Sequence, residues 1–92
     1  MVKFIGQNKL KTAVFISGTG SNLKNLIKFS LLKKSPIKIE LVISDKKKAR
    51  GIIISKKYNI DSKVYEYKNK ENTEKKILEN LKKKKINLIC LA

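Results

Sequence analysis

Thr12-Ala13-Val14-Phe15-Ile16-Ser17-Gly18-Thr19-Gly20-Ser21-Asn22-Leu23 passes from one periodicity to another within a single short stretch. Up to Ser17 it is a nearly continuous apolar run, rich in β-branched and aromatic side chains, as suits a strand covered on both faces of a parallel sheet. Gly18 stops the run. Ser21 and Asn22 then offer capping side chains, and Leu23, Leu26, Ile27 and Leu31 recur on one face of a helix predicted from about Asn22 to Lys33. A buried strand that turns through glycines into an amphipathic helix is the opening of an α/β unit.

The rest of the chain repeats the alternation. Ser35-Pro36 marks a turn, because proline disfavours helical geometry in the residue before it, and Ile37 to Ser44 reads as a second strand. Ala49, Ile52 and Ile53 mark a shorter helix to about Tyr58, where Asn59 can take the left-handed conformation that ends helices. Lys63 to Tyr67 alternates as a third strand. Asn69 reads as the N-cap of a helix to about Lys84, with Glu71 and Glu74 near its positive end, lysines at its negative end, and Ile77, Leu78 and Leu81 as its buried stripe. Leu88 to Ala92 is a last apolar run of strand type. The order βαβαβαβ implies a Rossmann-like, doubly wound parallel sheet with right-handed crossovers and helices on both faces. Residues 1–10 read as an extension and 11–92 as the domain. Such sheets bind ligands outside the carboxyl ends of their strands, at the point where strand order reverses, so the loop after Ser17 is the place to look.

In that loop, glycines let the backbone approach a ligand, while the free N–H groups and positive dipole of the helix start attract an anion. Gly20, Ser21 and Asn22 are the candidate phosphate ligands. A tight turn capped by an ordinary Ser or Asn is the alternative reading of the same residues. The dinucleotide pattern needs a third glycine where Leu23 stands, and the P-loop needs a Gly-Lys-Ser/Thr sequence that this loop lacks. A single phosphate on a small substrate fits the shorter loop.

Composition narrows the class further. The formal charge is +16, from 23 Lys and Arg against 7 Asp and Glu, which taken alone points to a polyanionic partner. Arg50 is the sole arginine, however, and base readout favours the planar arginine fork. Frequent Lys, Ile and Asn are also what A/T-rich codon usage produces, so specific nucleic-acid recognition is not expected. With one cysteine, Cys90, and no histidine, neither an internal disulfide nor a metal site of ordinary ligand spacing is expected, and a reducing cytoplasm fits best. Cys90 sits among apolar neighbours with no histidine to activate it and reads as core rather than nucleophile. Neither a signal peptide nor a membrane-spanning run is seen.

Phe15-Ile16-Ser17-Gly18-Thr19-Gly20-Ser21-Asn22-Leu23 resembles the first strand and loop of the phosphoribosylglycinamide formyltransferases, whose pattern is I-S-G-x-G-S-N-L. Leu41-Val42-Ile43-Ser44-Asp45 is similar to that family's second strand, the Gly51 region to its second helix, and Asn87 to Ala92 to the strand leading into its folate site. The resemblance spans about residues 11 to 92. It implies transfer of a formyl group from 10-formyltetrahydrofolate to glycinamide ribonucleotide in purine synthesis, with Gly20, Ser21 and Asn22 on the substrate phosphate. It also places a basic, folate-contacting residue at the start of the third helix, where Lys70 aligns; an ordinary solvated lysine is the other reading of that position.

The same resemblance implies a Gly-Phe-Met-Arg type segment next, and later an Asn, a His and an Asp that carry out the transfer. None of these is among the 92 residues, which contain no histidine. The expectation is therefore a partial formyltransferase that keeps the phosphate loop and is inactive alone, with an uncovered sheet edge open to a complementary chain or to self-association. The alternatives are a non-catalytic phosphate-binding module or gene remnant, and a basic RNA-associated protein.

Overall fold

The computed structural model of the chain describes residues 9–16, 21–46, 49–65 and 70–92. Within them the elements run β1 (Leu10–Ile16), α1 (Ser21–Ser30), β2 (Ile37–Ser44), α2 (Arg50–Lys57), β3 (Asp61–Val64), α3 (Lys70–Lys83) and β4 (Leu88–Leu91). The strands form one sheet in the order β3-β2-β1-β4 with every pairing parallel. The predicted α/β class and element order are those observed. Strand order reverses between β1 and β4, where the chain leaves the β1-β2-β3 side of the sheet and returns on the other.

Two apolar layers sandwich the sheet. On one face Leu23 and Ile27 of α1 and Ala49 and Ile52 beside and within α2 pack on Val14, Ile16, Ile39 and Val42. On the other, Ile77 and Leu81 of α3 and Ile86 after it pack on Ala13, Leu41 and Ile43. The inward alternation of β2 changes phase partway: Thr12 pairs with Ile39 but Ala13 with Leu41, so Glu40 is the extra residue of a bulge. That insertion sends Ile39 to the α1 layer and Leu41 to the α3 layer, although their spacing of two would place both on one face of a regular strand. Its carboxylate stays near the surface, 3.7 Å from Lys38 Nζ.

Several element ends differ from expectation, each for a local reason. The first helix stops at Ser30, whose Oγ donates to the Ile27 carbonyl at 2.6 Å, and Leu31 lies in the following turn, 67% exposed, rather than on the buried face. In α3, Thr73 and Ile77 form the buried row, and Leu78 points away from the sheet. The third strand begins two residues earlier than Lys63, because Asp61 and Ser62 pair with Leu41 and Val42. Its expected end at Tyr67, the cap Asn69 and the strand end Ser17 lie outside the described residues. Cys90 is half-buried against the α1 layer, less enclosed than a core reading implies, because β4 is an edge strand.

Asn59 does take the left-handed conformation, φ 57°, and closes α2: Asn59 N donates to Lys56 O at 3.1 Å and Ile60 N to Ser55 O at 2.9 Å. Lys85 ends α3 in the same way, φ 55°, with Lys85 N on Lys82 O and Ile86 N on Leu81 O, both at 3.0 Å. Both are the paired hydrogen bonds of the Schellman motif, which satisfies the last helix carbonyls.

Candidate functional site

Parallel strands all end at one edge of the sheet, and there a cavity of about 280 Å³ opens between the strand ends. Phe15 and Ile16 come from β1, Ile43, Ser44 and Asp45 from β2 and its exit, Tyr65 from the exit of β3, and Leu91 and Ala92 from β4. It therefore straddles the β1-β4 reversal, as the sheet topology requires of a ligand site.

Its walls are held by main-chain bonds that continue past the strands. Tyr65 N donates to Ser44 O and Ala92 N to Phe15 O, each at 2.9 Å. The Ser44 side chain is buried and folds onto its own exit turn, Oγ donating to Lys46 O and accepting from Lys46 N at 3.0 Å in each case. This side-chain-closed turn sets where Asp45 stands on the rim. Tyr65 Oη accepts from Asn80 Nδ2 at 3.0 Å, which ties the β3 exit to α3. Phe15, Ile43 and Leu91 make one wall apolar, while Ser44, Asp45 and Tyr65 supply its polar atoms.

The sequence-predicted ligands divide between described and undescribed positions. Gly18, Thr19 and Gly20 lie outside the described residues. Ser21 is the first residue of α1 and Asn22 follows it, exposed, so the Asn22 side chain stands in the first helical turn and is not the residue before the helix. That turn carries no acidic side chain, so nothing within it opposes an anion at the helix start. Lys70 opens α3 at the same edge of the sheet and is exposed, but Glu71 sits beside it in the first turn. The motif reading missed Phe15, Ser44, Asp45 and Tyr65. Their signal was positional: each is at or just after the carboxyl end of a strand.

No group of three or more potential metal ligands occurs among the described residues, and none of the described helices is long and apolar enough to cross a membrane.

A family model for formyl transferase matches residues 10–92, from the first residue of β1 to the end of the chain. The chain belongs to the formyl transferase family. Within the family it is similar to the human trifunctional purine biosynthetic protein adenosine-3, with 35% identity over 89 residues covering 94% of this chain and 9% of that protein. Among solved formyl transferases, the phosphoribosylglycinamide formyltransferase of Brucella melitensis superposes with a TM-score of 0.84 at 34% identity, over 90% of this chain and 45% of that one. The Bacillus halodurans enzyme of the same name superposes at 0.81 with 29% identity, over 89% and 44%. This formyl transferase chain thus spans less than half the length of these solved relatives, and the residues lining its cavity fall within the span that the family model matches.

Proposed function

We propose that residues 11–92 are the substrate-phosphate domain of a phosphoribosylglycinamide formyltransferase, an enzyme of cytoplasmic purine synthesis, with residues 1–10 as an extension. The observation that carries the proposal is the cavity at the β1-β4 reversal, at the sheet edge where α1 starts within Gly20-Ser21-Asn22. In this reading the loop amides of Gly20 and Ser21 and the Asn22 side-chain amide hold the phosphate of glycinamide ribonucleotide. The ribose then lies toward the strand ends. Lys70, at the same edge, faces the 10-formyltetrahydrofolate that supplies the formyl group.

Transfer requires the substrate amine to attack the formyl carbon, a proton to leave the nitrogen, and the developing oxyanion to be stabilised. The cavity's own polar groups, Ser44, Asp45 and Tyr65, are committed to turn and wall or are a single rim carboxylate, and there is no histidine in the sequence to shuttle the proton. These residues bind and orient the acceptor; the transfer groups come from the part of the enzyme that corresponds to the other half of the solved relatives, on the same polypeptide or a complementary one.

The test is a titration of the isotopically labelled chain with ribose 5-phosphate. The Gly20 and Ser21 amide signals are expected to move, and Asn22→Ala to weaken binding about tenfold, the loss of one hydrogen bond to a charged group. Static amide signals at millimolar ligand reject the phosphate site. Turnover of both substrates by the pure 92-residue chain rejects the division of labour.

A further inference from the structure

Among the described residues, the lysines divide unequally between the two ends of the sheet. Because the strands are parallel, each crossover helix brings the chain back to the edge where strands begin. Lys33 and Lys34 lie in the return from α1 to β2, Lys56 and Lys57 end α2 before β3, and Lys82 to Lys85 end α3 and lead to β4. Lys9 joins them, its Nζ donating to the carbonyls of Ser30 and Leu32 at 2.9 and 3.0 Å. All but Lys9 and Lys84 are exposed.

Among the described acids toward this amino edge, Asp61 is already paired with Lys84 and Glu40 with Lys38, and Glu79 lies about a turn before the end of α3. At the carboxyl edge, by contrast, the four cations Lys24, Lys46, Arg50 and Lys70 face the three acids Asp45, Glu71 and Glu74. The excess positive charge of the described residues is thus concentrated at the end away from the cavity. A helix dipole favours a cation in each last turn. It gives no reason to add Lys33, Lys34 and Lys85, which repel their neighbours.

We infer that the amino edge of the sheet is a docking surface for the phosphate backbone of single-stranded nucleic acid, held without regard to base sequence. Lysine neutralises phosphates as a point charge and releases their counterions. Base reading would call for Arg, Asn or Gln aimed at base edges, and the chain's one arginine lies at the opposite edge. Protein interfaces are depleted in lysine and rely on aromatic and arginine anchors. At this edge Tyr58 is engaged with the core, and Phe29, in the last turn of α1 and 45% exposed, offers a single stacking face. The surface is separate from the proposed phosphate loop, and neither reading depends on the other.

The experiment measures binding of the full 92-residue chain to a labelled oligouridylate by fluorescence anisotropy across salt concentrations. With about five phosphates neutralised, log affinity is expected to fall against log salt with a slope of about −3.5. Two triple variants remove equal charge from opposite ends: Lys34→Gln/Lys57→Gln/Lys83→Gln and Lys46→Gln/Arg50→Gln/Lys70→Gln. The first is expected to weaken binding at least tenfold and the second threefold or less. The charge-preserving Lys34→Arg/Lys57→Arg/Lys83→Arg chain is expected to bind like the unaltered protein, which separates lost contacts from lost folding. Equal losses from the two ends overturn the inference, because net charge alone then explains binding. So does polyglutamate bound as tightly as the oligouridylate, which makes the surface one for acidic protein, or a salt slope near zero.

Discussion

Asp61 opens β3, and Lys84 reaches it from the turn after α3, so this ion pair between two returning segments bridges positions far apart in sequence. The hydrogen bond from the Lys84 ammonium holds the Asp61 carboxyl below its ordinary 3.8, its charge adds to this, slight burial opposes it, and Lys63 lowers it further. A carboxyl depressed in the folded chain stabilises the fold above its unfolded value, and that contribution disappears as pH falls through the folded value, below 3.8. The carboxylate is exposed, so the effect on stability is small. The expected outcome is an Asp61 carboxyl titration by NMR with a midpoint under 3.8, moving up toward it in Lys84→Gln. An unchanged midpoint in that variant would mean the contact does not persist in solution.

At the scale of elements, the packing of α2 on β1 turns on Gly51. A Cβ built there would collide with Ile16 Cδ1 and come within 3.1 Å of Leu23 Cδ2, so the absent side chain is what lets the helix close on the strand. Both neighbours are core residues, Ile16 at 5% exposure and Leu23 at 0%, and have little room to yield. Alanine in place of glycine gains about 1 kcal/mol of helix propensity, but overpacking costs about 1–3 kcal/mol. Gly51→Ala is therefore expected to destabilise by about 1 kcal/mol, a fall of about 4–8 °C in Tm for a domain of this size. Adding Ile16→Val removes the colliding methyl. In thermal melts the double variant should sit above the sum of the two single effects by about 1 kcal/mol, the coupling expected of residues in direct contact. Strict additivity would show that the helix shifts rather than clashes.

For the whole molecule, apolar exposure and charge pull in opposite directions. β4 pairs with β1 on one side, and among the described residues no strand lies on its other. Its outward residues Ile89 and Leu91 are 49% and 84% exposed, and Leu78 of α3 is 56% exposed. An unpaired strand with apolar side chains invites association, whereas a charge of +16 on 92 residues keeps copies apart. Salt removes only the second effect, since the screening length falls from about 10 Å at 0.1 M to about 3 Å at 1 M. Sedimentation is expected to show monomer at the lower salt and self-association at the higher, abolished by Leu91→Lys. A monomer under both conditions would show that the edge is not adhesive.

The sequence by itself determined the element order, the parallel α/β class and the family, because each depends on local periodicity and on one contiguous motif around Gly18 to Leu23. It also marked Asn59 as a helix end, since that residue tolerates the left-handed conformation by its own chemistry, while Lys85 in the same conformation carries no such mark. Tertiary structure alone decided the bulge at Glu40, the exposure of Leu31 and Leu78, the cavity formed by Phe15, Ser44, Asp45 and Tyr65, and the lysine-rich amino edge. Each of these arises when distant segments meet. Neither β2's shift against β1 nor the gathering of separate lysines on one edge is a property of any single stretch of chain, so no local pattern records it.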